Sequence, residues 1–174
     1  MFAFDIHGRE PSVERLVVHL PNMNRIIYHE NTDLGNIVSD MKRYCTMLTE
    51  WFVANRKYAS AHHLTYDKFP SEWTWDAKNK VWLKRQRKSR FGSPIGRIYH
   101  VHPSTGELFF LRILLTKVAG AKSFVHLRTY EGRRFDTFKE ACQARGLVGD
   151  DKNGLCSSMR LLDGLHHISF VTFL

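Results

Sequence analysis

Residues 13–22, VERLVVHLPN, and residues 25–30, RIIYHE, are short runs rich in β-branched and apolar side chains. Pro21 and Asn22 lie between them, so the pair reads as two strands of a hairpin. Residues 31–40, NTDLGNIVSD, form a turn-rich connector. The period then changes. In MLTEWFVANRKYASA, residues 47–61, Leu48, Trp51, Phe52 and Asn55 fall on one face of a helix. Thr46 is placed to cap that helix, with Glu50 near its positive end. After Pro70 the pattern alternates again: EWTWD and KVWLKR flank the polar AKN and predict a second hairpin.

GRIYHVH, residues 96–102, predicts a further strand. PSTG then opens a helix through ELFFLRILLTKV, which is apolar nearly all round and belongs at the centre of the domain. DTFKEACQARG carries the clearest local signal in the chain. Thr137 and Glu140 have capping-box spacing, Ala141 and Cys142 suit a helix interior, and Gly146 is placed to end the helix. Together these elements predict an α+β domain, with small antiparallel sheets or hairpins packed on two or three helices.

Composition narrows the class. The chain has 174 residues, 43% hydrophobic and 25% charged, which is ordinary for one globular domain. A formal net charge of +9 favours polyanionic partners. Its three cysteines, Cys45, Cys142 and Cys156, are odd in number and lack zinc-site spacing, so a reducing compartment is expected. The start, MFAFDIHGREP, lacks the basic and apolar regions of a secretory signal. No apolar stretch reaches the roughly 18 residues of a membrane helix.

Candidate chemistry is sparse. His100-Val101-His102 has the His-hydrophobe-His form used by rolling-circle nucleases, since strand residues two apart share a face and could hold a metal. No carboxylate third ligand or catalytic tyrosine accompanies it, and strand histidines without a metal are the favoured reading. AGAKS, residues 119–123, is similar to the tail of a phosphate-binding loop. Thr116 and Ala121 stand where that loop needs glycines, so no ATP site is expected. No catalytic residue, metal or cofactor follows from the sequence. Lys78 to Arg90 differs in kind: seven of its thirteen residues are Lys or Arg, with Trp75, Trp82 and Phe91 within or beside it. Single-strand binders combine cations that follow phosphates with rings that stack on bases. A charged loop ending a hairpin whose tryptophans are core is the alternative.

Several stretches occur together in a telling order: VERLVVHLPN, MLTEWFVAN, LTYDKFPSEWTWD, VWLKRQ, IGRIYHVHPSTGELFFLRILL, GAKSFVHLRTYEG and TFKEACQARGLVGDDK. This series resembles a segment of the replicase-helicase of plant Helitron transposons, over residues 5–152. The resemblance implies a connector, residues 1–152, between a rolling-circle initiator domain and a Pif-family DNA helicase domain. It implies single-stranded DNA and those two neighbouring domains as partners, in the nucleus (or the cytoplasm), not in a secreted protein. It carries neither engine of that enzyme, because His100 and His102 fall in the connector strand and no phosphate loop is present. The aromatic rings Tyr66, Phe69, Trp73 and Trp75 are expected to pack the core. Lys84, Arg85, Arg87, Lys88 and Arg90 are the expected phosphate contacts, and Trp82 the expected stacking ring. A structural spacer without DNA contact is the alternative, and a metal nuclease built on His100 and His102 a minor one.

From Asn153 the resemblance ends. Losing one G from AAG GAA TGG, a spelling of Lys-Glu-Trp, gives Lys152, Asn153 and the start of Gly154. Residues 153–174 are therefore read as an out-of-frame tail, with a genuine terminal strand in HHISFVTFL as the alternative.

Overall fold

The computed structural model describes residues 11–23, 44–87 and 92–148. The strand expected at 25–30, the connector at 31–40 and the tail at 153–174 lie outside the described residues. The architecture is α+β, as the hydrophobic pattern predicts, with small two-stranded sheets packed on helices.

The expected hairpin partner of strand β1 (Val13–Leu16), residues 25–30, lies outside the described residues, and the pairing that β1 does show is with a distant strand. Strand β1 runs parallel to β4 (Ile95–Ile98), with Val13 opposite Ile95 and Leu16 opposite Ile98. Parallel strands need a long crossover; here it contains a helix and a hairpin. Leu16 and Ile98 point into the core from matching positions, which is what fixes this register. Strand β4 ends at Ile98, earlier than GRIYHVH predicts.

Helix α1 (Met47–Lys57) starts where Thr46 predicts. The Thr46 hydroxyl accepts from the Thr49 amide at 3.1 Å, and the Thr46 amide donates to the Thr49 hydroxyl at 2.8 Å. Glu50 in the first turn and Arg56 and Lys57 in the last complement the helix dipole. Its inner face buries Leu48, Trp51, Phe52, Ala54 and Asn55. Asn55 is partly satisfied there: its amide nitrogen donates to the Ala121 carbonyl at 2.8 Å, while its Oδ1 has no partner among the described residues.

Strands β2 (Trp73–Asp76) and β3 (Val81–Lys84) form the predicted antiparallel hairpin, with Trp75 opposite Trp82. Asp76 builds its turn: one carboxylate oxygen accepts from the Lys78 and Asn79 amides at 3.0 and 3.1 Å, the other from the Asn79 side chain at 2.7 Å. Those bonds, the Asn79 side chain's foremost, hold the Asp76 carboxyl below the usual range.

Around this hairpin the aromatic residues of 64–76 form the core. Phe69 stacks on Trp73 with centroids 5.2 Å apart, and Trp51 lies 5.3 Å from Tyr66. Tyr66, Phe69 and Trp73 are buried, and Trp75 is half-buried against the same cluster. Tyr66 spends its hydroxyl on the Val17 carbonyl at 3.0 Å, and burial pushes its pKa well up.

Helix α2 (Glu107–Lys117) is the central element, burying Phe109, Phe110, Leu111, Ile113, Leu114 and Leu115. It starts at Gly106, while Pro103–Thr105 make a separate 3-10 turn. A single-turn helix, α3 (Phe124–Leu127), is capped by Ser123 and was not legible as a period. A short ribbon, β5 (Thr129–Tyr130) with β6 (Arg133–Arg134), leads to α4 (Phe138–Ala144). Thr137 and Glu140 form the predicted capping box, and Gly146, at φ 64°, follows the helix in the left-handed conformation that ends it.

One long-range contact completes that cap. The Glu107 carboxylate accepts from the Phe138 amide at 2.6 Å and from the Lys139 amide at 3.4 Å. With the Glu140 amide taken by Thr137, the first-turn donors of α4 are satisfied, two of them by another helix. Cys142 sits behind this contact, fully buried, with its thiol toward the Phe110 carbonyl. Burial first, and Glu107 second, push its pKa up to about 12. The thiolate is the reactive form. In the native protein at pH 8, Cys142 is therefore expected to resist an aromatic disulfide reagent until unfolding, as peptide mapping of the labelled cysteines would report. Labelling of Cys142 at the rate of a free thiol would show that α4 opens from α2 in the native state.

Candidate nucleic-acid interface

The hairpin turn built by Asp76 sends β3 back along the core and delivers its basic end to one edge of the domain. At that end the Arg85 amide donates to the Glu72 carbonyl at 2.7 Å, and its guanidinium reaches the Pro70 carbonyl at 3.4 Å. Arg85 is thus half-buried and held by backbone. Lys84 and Arg87 on either side are exposed. The three cations converge on an open cleft of about 620 Å³ with Ser71 and Glu72 on one side and Ser93 on the other. The Glu72 carboxylate in that wall is engaged by the exposed His63 ring at 2.9 Å.

Three of the five predicted phosphate contacts, Lys84, Arg85 and Arg87, therefore come together. Lys88 and Arg90 lie outside the described residues. The expected stacking ring does not fit its place. Trp82 is only 5% exposed, its indole N–H donates to the Met47 carbonyl at 2.9 Å, and Phe69 meets it edge-on at 5.1 Å while Trp75 covers it at 5.3 Å. No face is left for a base, so Trp82 is core.

The other candidate motifs resolve differently. His100 and His102 both lie beyond the end of β4, exposed on either side of buried Val101. The His102 ring nitrogen accepts from the Ser104 amide at 3.2 Å and caps the Pro103–Thr105 turn. Among the described residues no three His, Cys, Asp or Glu side chains are grouped to hold a metal ion. In AGAKS, Gly120 does take a positive φ of 63°, but Ala121 is buried and Ser123 caps α3, so no phosphate cradle forms. Among the described residues no helix is long and apolar enough to cross a membrane.

Sequence reasoning passed over Arg15 and Arg97, which the β1–β4 register sets directly opposite each other on the outer side of the sheet. The signal was present in the matching alternation of VERL and IGRI. It takes meaning only once those distant segments are known to pair.

No protein-family model matches the chain, and no curated protein matches it.

Proposed function

We propose that the chain is a non-catalytic, DNA-contacting connector from a Helitron-type replicase-helicase, acting in the nucleus beside a nuclease and a helicase domain. The family part of this reading rests on the ordered stretches between residues 5 and 152. The molecular part rests on one observation: Lys84, Arg85 and Arg87 surround a single open cleft beside the hairpin. An anionic backbone fits such a cleft, and the Arg85 guanidinium is already held by the Pro70 carbonyl, so little side-chain freedom is lost on binding.

The experiment is the affinity of the chain for a single-stranded oligonucleotide measured against salt. Each phosphate contact contributes about −0.7 to the slope of log K against log salt. Replacing Lys84, Arg87, Lys88 and Arg90 together by Gln is expected to flatten the slope by roughly three units. An unchanged slope with retained binding would remove the cleft from the interface. Arg85 is left in place because its guanidinium supports the Pro70 turn.

A second reading is a spacer that docks neighbouring domains and touches no DNA. The burial of Trp82 favours it, since that ring is not free to stack on a base as the rings of single-strand binders are. A folded chain by circular dichroism, with no oligonucleotide binding at low salt, would select the spacer.

A further inference from the structure

The β1–β4 sheet is built in an unusual way. Parallel sheets are ordinarily covered on both faces. Here the inner face is sealed by Leu16 and Ile98, whereas the outward positions carry Val13, Arg15 and Val17 on one strand line and Ile95, Arg97 and Tyr99 on the other. All six are exposed, with Ile95 at 53% and Tyr99 at 49%. Arg15 and Arg97 are direct cross-strand partners in the register. Like charges in that position are destabilising. Neither guanidinium makes a hydrogen bond or ion pair among the described residues.

A pair of opposed, unneutralised guanidiniums beside an exposed aromatic ring matches the chemistry of a nucleic-acid backbone with an unstacked base. A protein partner would leave the charge pair to be matched by carboxylates, and it would not call for the neighbouring cation cleft. That cleft adjoins this face along the chain: Ser93 and Pro94 line it, and the next residue, Ile95, begins β4. We infer that the exposed face of the β1–β4 sheet is a single-stranded nucleic-acid platform, in which Arg15 and Arg97 hold phosphates and Tyr99 stacks on a base. The strand enters from the Lys84–Arg87 cleft. This rests on the proposed DNA contact of that cleft and extends it across the sheet. It also supplies the stacking ring that Trp82, being buried, does not.

The test uses the full chain and a fluorescent oligo-dT, read by anisotropy over a salt series. Changing Arg15→Gln and Arg97→Gln together is expected to flatten the slope by about 1.4, two contacts' worth. Tyr99→Leu should weaken binding roughly 5- to 150-fold at unchanged slope, and Tyr99→Phe should restore it. These side chains are exposed, so the variants are expected to keep the wild-type circular dichroism. If the oligonucleotide binds and the slope responds to Lys84 and Arg87 but to none of Arg15, Arg97 and Tyr99, the platform is wrong while the cleft stands. If the sheet variants change self-association in sedimentation and leave oligonucleotide binding alone, the face docks protein and the platform is equally wrong. If no oligonucleotide binds at all, both readings fall together.

Discussion

Gly96→Ala is expected to destabilise the domain by about 3 kcal/mol or more, the top of the range for overpacking a filled site. Gly96 lies in β4 opposite Glu14, where the chain segment after Tyr66 crosses the inner side of the sheet. A methyl group built there would overlap the Asp67 carbonyl oxygen and come within 2.9 Å of the Leu16 side chain. The side chain could turn aside; the carbonyl belongs to backbone that is pinned on both sides. The Tyr66 amide donates to the Leu115 carbonyl, and the Phe69 amide to the Tyr66 carbonyl. Relief therefore requires β4 to move off β1 or the 64–69 segment to move off α2. Chemical denaturation of the wild type and the variant would measure the loss. A midpoint unchanged by Gly96→Ala would mean that the segment and the sheet are not in contact as described. Glycine serves here through its missing Cβ, not through a positive φ.

That same contact explains why part of the fold was legible in the sequence and part was not. Features decided within a few residues could be read directly. The Thr46 and Thr137 caps, the Trp-bearing hairpin around AKN and the apolar helix at 107–117 all appear where their local chemistry puts them. Features decided between distant segments could not. The parallel pairing of VERL with IGRI depends on which strands share the core, which neither segment shows by itself. Trp82 failed as a stacking ring for a related reason. Alternation puts Trp73, Trp75 and Trp82 on one side of the hairpin but does not say which side meets the core. Phe69 decides it, since it stacks on Trp73 and abuts Trp82. Lys84 and Arg87 are exposed because cations at the end of a strand reach solvent on either face. Glu107 shows the opposite limit. Its sequence position suggests only a helix-dipole role, yet its carboxylate caps a helix that begins 31 residues on.

Trp51→Ala should cost about 3–5 kcal/mol, the range for deleting a large buried aromatic. Trp51 is fully buried on the inner face of α1, with Tyr66 at 5.3 Å and Phe69 edge-on at 6.5 Å. It connects two parts of the domain that share no backbone ladder: α1 on one side, and the 64–76 segment with its hairpin on the other. Its neighbours are poorly able to close the resulting gap. Tyr66 is anchored to the Val17 carbonyl through its hydroxyl, and Phe69 is fixed between Trp73 and Trp82. A cavity that cannot collapse costs the lost contacts in addition to the transfer free energy. For a chain of this length each kcal/mol moves the midpoint of thermal unfolding by roughly 2–4 °C, so the variant should melt at least about 6 °C lower. Trp51→Phe keeps a ring in the site and should lose distinctly less. Because Trp51 is fully buried and cannot itself touch an oligonucleotide, any Trp51→Ala protein that remains folded at low temperature should keep the wild-type salt slope for oligo-dT. A fall in slope alongside the fall in stability would mean that the hairpin's cations depend on this core for their place, and that the cleft is shaped by packing as much as by the Asp76 turn.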